Sequence, residues 1–270
     1  MLVAGGCREA YWLAQALIAI CNESKTTNEA ATNSLASEAQ NWGTAQAAHA
    51  LMQLHNARPF HEIVYMLAGI TESPRVPQGA HSLIRKDNIS VLNPETWAEL
   101  GIVAVIDATH PFATTIQAKL RAFAQDEFAV PHVTIRRPPW QQLEADQWMP
   151  WHEDAELHAI LAQQSQSQTT VFALGGKTMQ KWHQQGWGKN LPMKTIWRTL
   201  ARAHNMPMPA HPRASFITFR PNDGISLERA RLQALQAKLV VMRNSGGQPS
   251  GLLQAARSLN IPIYMQAYPA

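Results

Sequence analysis

Cysteine is nearly absent from this chain: its 270 residues include two, Cys7 and Cys21. Neither belongs to a C-x-x-C pair or stands at a zinc-ligand spacing, so the sequence predicts neither a structural disulfide nor a metal site. Long apolar runs are missing too. None approaches the roughly 20 residues that a bilayer-spanning helix needs, and the opening Met1 to Gly6 lacks the basic-then-apolar layout of a signal peptide. The expectation is a cytoplasmic protein with no membrane partner. An excess of one charge is also lacking, since 23 Lys plus Arg stand against 19 Asp plus Glu, for a net +4 with 11 His in reserve. That small excess suits an anionic ligand. The arginines are scattered singly or in pairs such as Arg136-Arg137, without the clustered stripe or interleaved aromatics of a nucleic-acid binder, so no nucleic-acid partner is expected.

What is present describes an ordinary globular chain, with 46% apolar and 16% charged residues. Its length fits two Rossmann-sized units, each able to bury a core. Leu2-Val3-Ala4 runs into Gly5-Gly6, then into Leu13, Leu17 and Ile20 at helical spacing, a strand–turn–helix pattern. Residues 22 to 57 interrupt it with Asn, Ser, Thr, Gln and Ala, and read as an insertion, part loop and part surface helix. Apolar strands resume at 63–67, 102–106 and 133–135, with Ile116, Leu120 and Phe123 marking a helix between the last two.

Residues 138 to 154 carry Pro138-Pro139, Pro150 and three tryptophans without a clean period, and read as a linker. Beyond it Val171 to Leu174 meets Gly175-Gly176, and strands at 216–219, 239–242 and 261–265 flank a helix near 226–236. Near-continuous apolar runs are what strands of a parallel sheet covered on both faces look like. The predicted fold is α/β: two Rossmann-like domains, 1–138 and 139–270, with mainly parallel sheets facing one another across a cleft. In such sheets ligands sit outside the carboxyl ends of the strands, which makes the turns there the place to look for chemistry.

The run Asp107-Ala108-Thr109-His110-Pro111-Phe112-Ala113 comes directly after a buried strand and opens a helix, with Thr109 or His110 as N-cap and Pro111 in the first helical turn. A well-capped helix explains Thr109 and Pro111. It does not explain Asp107 and His110, two titratable groups at a strand's carboxyl end. They suit orienting a ribose or an amide, and His110 suits protonating a reduced substrate, because histidine titrates near neutrality.

The same run, DATHPFA, resembles the signature of the precorrin-6A reductase family and stands without a substitution. Leu67-Ala68-Gly69 resembles the family's SLAG stretch, Arg136 to Trp140 its RP-x-W segment, and Asn244-Ser245-Gly246-Gly247 the core of its KNSGG loop. Ala255-Ala256-Arg257 and Ile261-Pro262 resemble the family's segment C-terminal to that loop, so nearly the whole chain outside 22–57 is covered. The resemblance implies two Rossmann-like domains with a strand exchanged between them. It implies hydride transfer from NADPH, without metal or flavin, to a ring double bond of precorrin-6A or cobalt-precorrin-6A, giving the 6B form in cobalamin biosynthesis. On that footing the first domain binds NADPH through Gly5, Gly6, Cys7, Glu9, Ala68, Gly69, Asp107, Thr109, His110 and Pro111, with His110 as the catalytic candidate. The second faces the tetrapyrrole polycarboxylate. Phe112, Arg137, Arg243, Asn244, Ser245, Gly246 and Gly247 are its expected contacts, since guanidinium binds carboxylate bidentately. Neighbouring enzymes of the pathway are expected partners.

The chain departs from the family at several positions. Cys7 replaces a threonine, and Ile70 stands where an arginine would meet the 2'-phosphate, with Arg75 as a substitute. Residues 86–91 hold no glycine where the family has GGFGG. Arg220 to Gly224 replaces a GPF turn, Arg243 replaces lysine before the NSGG turn, and Leu252 replaces a later lysine. These changes leave an alternative, a non-catalytic tetrapyrrole carrier of the same fold, and beside it a reductase of another polycarboxylate.

Overall fold

The apolar runs become the central strands of two parallel sheets in a computed structural model of the chain, which describes residues 1–5, 8–23, 62–67, 76–79, 81–84, 93–199, 213–219 and 223–269. The chain divides into two compact units, Met1–Pro138 and Pro139–Ala270.

The first unit contains β1 (Leu2–Gly5), α1 (Arg8–Glu23), β2 (Val64–Leu67), β3 (His81–Ile84), α2 (Pro94–Glu99), β4 (Val105–Ala108), α3 (Thr114–Ala122) with a π-helical turn (Phe123–Glu127), and β5 (His132–Thr134). The strands are parallel in the order β3-β2-β1-β4-β5. Every residue of β1 and β4 is buried, because alternate side chains feed two cores. Val3, Tyr65 and Ile106 pack with Leu13 and Leu17 on one face. Leu2, Ala4 and Val105 pack with Trp97, Leu120 and Phe123 on the other. Trp97 stacks on Phe123 and Phe128, both at 5.5 Å between ring centres. Helix α2 starts where Asn93 accepts from Thr96 N at 2.7 Å, with a proline opening the helix.

The second unit contains β6 (Trp148–Trp151), α4 (Asp154–Ala162), β7 (Thr169–Ala173), α5 (Gly176–Gln184), β8 (Lys194–Thr199), β9 (Ala214–Thr218), α6 (Ile225–Ala234), β10 (Leu239–Arg243), α7 (Gly251–Ser258) and β11 (Ile263–Gln266). Its sheet is also parallel, in the order β6-β11-β10-β7-β8-β9. Both faces are again covered, one by Leu232, Leu252 and Leu253, the other by Trp151, Leu157 and Trp182.

Several expectations need correction. Residues 138–154 are not simply a linker: they include β6 and reach the start of α4, which has a capping box between Glu153 and Glu156. Pro150 is tolerated because β6 is an edge strand, where the ladder on one side needs no N–H. Arg257 pins the preceding loop, bonding Asp146 at 2.8 Å and Gln141 O at 2.8 Å, with its guanidinium 5.4 Å from the Trp148 ring centre. The exchanged strand is not found among the described strands. Each pairs within its own unit, and β6, the first strand after the boundary, is held to β11 of the same sheet. Residues 22 and 23 of the expected insertion are the end of α1; residues 24–57 lie outside the described residues. No helix among the described residues is long and apolar enough to cross a membrane.

Candidate functional site

Each sheet has one place where the strand order reverses, and crevices at such reversals are where open α/β sheets hold ligands. In the first unit it lies between β1 and β4, which pair from Leu2↔Val105 to Gly5↔Ala108. A Cβ on Gly5 would lie 2.1 Å from Ala10 Cβ and 3.3 Å from Ala108 O. Only glycine lets the first turns of α1 approach the strands so closely.

Asp107 and Ala108 belong to β4 rather than coming after it, a shift of the expected strand toward its carboxyl end. Asp107 is 1% exposed. Its Oδ1 accepts from Thr109 N at 3.0 Å and from Thr109 Oγ1 at 2.6 Å, while Oδ2 is buried with no partner. This Asx turn overturns the expected cap. Thr109 is spent on Asp107, the chain turns through Pro111 and Phe112, Ala113 N donates to His110 O at 2.8 Å, and the helix begins only at Thr114. His110 is exposed, and its Nδ1 accepts from Phe112 N at 3.3 Å. That bond places the proton of the neutral ring on Nε2. Gln117, on the first turns of α3, donates from Nε2 to Thr109 Oγ1 at 3.3 Å, His110 O at 3.1 Å and Pro111 O at 3.5 Å.

One neighbour of this turn carries no signal in the sequence. His132 on β5 pairs with Val105, two residues before Asp107, and its Nε2 is buried without a partner. Burial holds its pKa below the ordinary histidine value; Asp107 pulls it the other way and Arg121 adds to the lowering.

In the second unit the order reverses between β7 and β10. Gly175 links β7 to α5 at φ 81°, in the region that favours glycine, and no side chain caps α5. Arg243 ends β10. Its Nε donates to Gln266 Oε1 at 2.7 Å, Nη1 to Leu174 O at 3.3 Å, and Nη2 to Thr178 Oγ1 at 2.8 Å. These three oxygens are neutral and hold the fork at the ends of β7, β10 and β11. Burial lowers the Arg243 pKa, with Asp154 acting in the opposite direction. The turn after β10 is built on Asn244. Its Oδ1 accepts from Trp140 N at 2.8 Å and Gly246 N at 3.2 Å, and its Nδ2 donates to Trp140 O at 3.0 Å. Gly246 and Gly247 both take positive φ, at 66° and 72°, while Ser245 Oγ donates to Arg243 O at 3.5 Å.

The structure thus groups Gly5, Asp107, Thr109, His110, Pro111 and Phe112 in one unit, and Arg243, Asn244, Ser245, Gly246 and Gly247 in the other. Arg137 stands near the end of the first unit, after β5. Glu9 belongs to the first turn of α1. Gly6, Cys7, Ala68 and Gly69 lie outside the described residues, as do Ile70, Arg75, residues 86–91 and residues 220–222. Among the described residues there is no group of three or more His, Cys, Asp or Glu able to hold a metal ion. Arg198, at the end of β8, is a buried cation the sequence did not single out; Glu228 Oε1 neutralises it at 2.5 Å, and Phe219 lies under its guanidinium.

Two parallel sheets, each with its candidate residues where its strand order reverses, define an α/β protein of the Rossmann-like class. A family model described as precorrin-6x reductase CbiJ/CobK matches residues 42–270. Precorrin-6A reductase of Rhodococcus erythropolis is 30% identical over 211 residues, covering 77% of this chain and 79% of that protein. Precorrin-6A reductase of Mycobacterium tuberculosis (strain CDC 1551 / Oshkosh) is 30% identical over 231 residues, 84% of this chain and 86% of that protein. A solved structure described as CobK precorrin-6A reductase matches with a TM-score of 0.68 at 24% identity, over 100% of this chain and 88% of that one, a likeness of fold. The chain belongs to the precorrin-6x reductase family, and with it to the oxidoreductases of cobalamin biosynthesis.

Proposed function

We propose that this chain reduces a ring double bond of precorrin-6A, or of its cobalt form, to the 6B form, with NADPH as hydride donor. The observation that carries the reading is that two separate sets of polar residues stand at the reversal points of the two sheets, one suited to a dinucleotide and one to carboxylates. In the first unit, Gly5 lets the first turns of α1 close against the end of β1, where a Cβ would lie 2.1 Å from Ala10 Cβ, and Asp107 Oδ2 is a buried acceptor without a donor. Both fit a dinucleotide, whose diphosphate is favoured by the N-terminus of the helix after β1 and whose hydroxyls and carboxamide offer donors. Gly6, Cys7, Glu9, Ala68 and Gly69 are further proposed cofactor contacts on the family resemblance alone.

NADPH, when bound, supplies the hydride. The chain's residues orient: the Asp107–Thr109 turn fixes the loop, and Phe112 N–H holds the His110 ring at Nδ1. Reducing a carbon–carbon double bond consumes one hydride and one proton, and His110 is the proposed proton source, acting as the imidazolium: it takes a proton from solvent at Nδ1 in place of the Phe112 N–H bond and gives up the proton at Nε2, which leaves a neutral ring. In the second unit the Arg243 guanidinium is oriented by three neutral oxygens, and a guanidinium fork is the chemistry that recognises a ring bearing several carboxylates. Arg137 and Phe112 are further proposed substrate contacts.

The test is turnover by the purified chain of metal-free and cobalt-loaded precorrin-6A, each with NADPH and with NADH, monitoring loss of dihydronicotinamide absorbance and the mass of the product. A gain of two hydrogens with NADPH supports the reading. Tight tetrapyrrole binding with no oxidation of either nucleotide assigns the chain to the carrier alternative.

A further inference from the structure

We infer that Gln117 is a positioning residue for the reduction: its amide sets the Asp107–Phe112 turn and, through it, the orientation and tautomer of His110. The inference rests on the proposed reductase reading for its kinetic part and on geometry alone for the rest.

Gln117 lies outside the DATHPFA run, one turn into α3. Its two amide hydrogens are shared among three oxygens, Thr109 Oγ1, His110 O and Pro111 O. Two of these are carbonyl oxygens, which only accept, so the NH2 end and not the C=O end of the amide must face the turn. That orientation settles the direction of the next bond. Thr109 Oγ1 accepts from Gln117 and gives its own proton to Asp107 Oδ1 at 2.6 Å. The bonds therefore run one way, from Gln117 through Thr109 to Asp107, and Asp107 keeps Oδ2 for another donor.

The same amide holds His110 by its carbonyl while Phe112 N–H holds the ring at Nδ1. Main chain and ring are fixed together, and the ring proton is assigned to Nε2. An alanine or leucine at 117 leaves three oxygens of the turn without this donor. A carboxylate of the same shape would repel the two carbonyl oxygens and compete with Asp107 for the Thr109 hydroxyl proton.

Three variants separate positioning from mere packing. Gln117→Leu removes the donors, Gln117→Glu keeps the shape and reverses the polarity, and Gln117→Lys restores donors on a flexible stem. Each is compared with the parent by kcat and KM for both substrates, by melting temperature, and by nitrogen-15 NMR of the His110 ring and the Thr109 to Phe112 amides. We expect Leu and Glu to lower kcat/KM about tenfold and to move the His110 ring nitrogens away from the Nε2–H pattern. Lys should recover most of both at an unchanged melting temperature. Unmoved resonances in the Leu and Glu variants overturn the inference. So does a loss of turnover that tracks melting temperature and that Lys does not rescue. Should His110→Ala leave turnover intact while the Gln117 variants still move the turn's resonances, the role proposed for His110 fails and the positioning of the turn stands.

Discussion

Asn244 pairs with the main chain of Trp140 at both of its polar groups, accepting from N–H at 2.8 Å and donating to C=O at 3.0 Å across 104 residues of sequence. The same Oδ1 takes Gly246 N–H, so one buried amide ties the opening of the second unit to the turn after β10. Alanine supplies none of these partners, and aspartate supplies the acceptor at Oδ1 but not the donor to Trp140 O.

Replacing Asn244 by Asp keeps the shape but sets a buried carboxylate against Trp140 O, a loss of about 3 kcal/mol in stability. Urea unfolding with the midpoint and slope fitted separately measures it. Asn244→Ala, which orphans Trp140 N–H, Trp140 O and Gly246 N–H, is expected to fall in the same range. A variant within experimental error of the parent would remove Asn244 from the framework of the turn.

Gly5→Ala tests the closeness of α1 to the first sheet. The added Cβ would stand 2.1 Å from Ala10 Cβ, and overpacking of this kind costs about 1–3 kcal/mol. The double variant Gly5→Ala with Ala10→Gly relieves that contact and should recover part of the loss. If the end of β1 also serves a dinucleotide, NADPH affinity measured by fluorescence quenching falls in the single variant while tetrapyrrole affinity does not.

His132 makes a pH-dependent contribution whose sign comes from its lowered pKa. In the unfolded chain the group protonates at the ordinary value of about 6.5, whereas in the fold it stays neutral to lower pH. The unfolded state therefore binds more protons in that interval. Stability is intact above the unfolded value and declines as pH drops toward and through the folded one. His132→Gln should flatten this part of the pH–stability curve, and an equal slope in both proteins contradicts the assignment.

Arg243→Lys keeps the charge and loses the fork. Three acceptors, Gln266 Oε1, Leu174 O and Thr178 Oγ1, now hold a planar guanidinium that a single ammonium cannot replace. The expected outcome is a KM for the tetrapyrrole raised about tenfold, with KM for NADPH unchanged. Equal rises in both would move Arg243 from carboxylate recognition to general support of the sheet.

Much of this arrangement was legible in the residues. Continuous apolar runs marked β1, β4, β7 and β10, because strands buried on both faces need apolar side chains at successive positions. The run from Asp107 to Ala113 marked the turn at the end of β4. Other features were hidden for physical reasons. Pro150 argued against a strand at Trp148–Trp151, and only the sheet order reveals that this strand is an edge. Thr109 and Pro111 looked like helix starters, but the carboxylate of Asp107 captures the Thr109 hydroxyl and N–H before a helix can use them. Gln117, His132 and the pairing of Asn244 with Trp140 depend on contacts that no local spacing encodes. A glutamine on a helix turn and a histidine in a short strand carry no pattern of their own.

The central claim is that this chain joins a reduced nicotinamide to a tetrapyrrole in one reaction. The most direct measurement is a single-turnover experiment with precorrin-6A and NADPH deuterated on the transferable hydrogen. One deuterium recovered at carbon in a 6B product, at a rate lowered in His110→Ala by about tenfold or more, is the expected result. Unreduced precorrin-6A recovered intact beside unoxidised NADPH would contradict it.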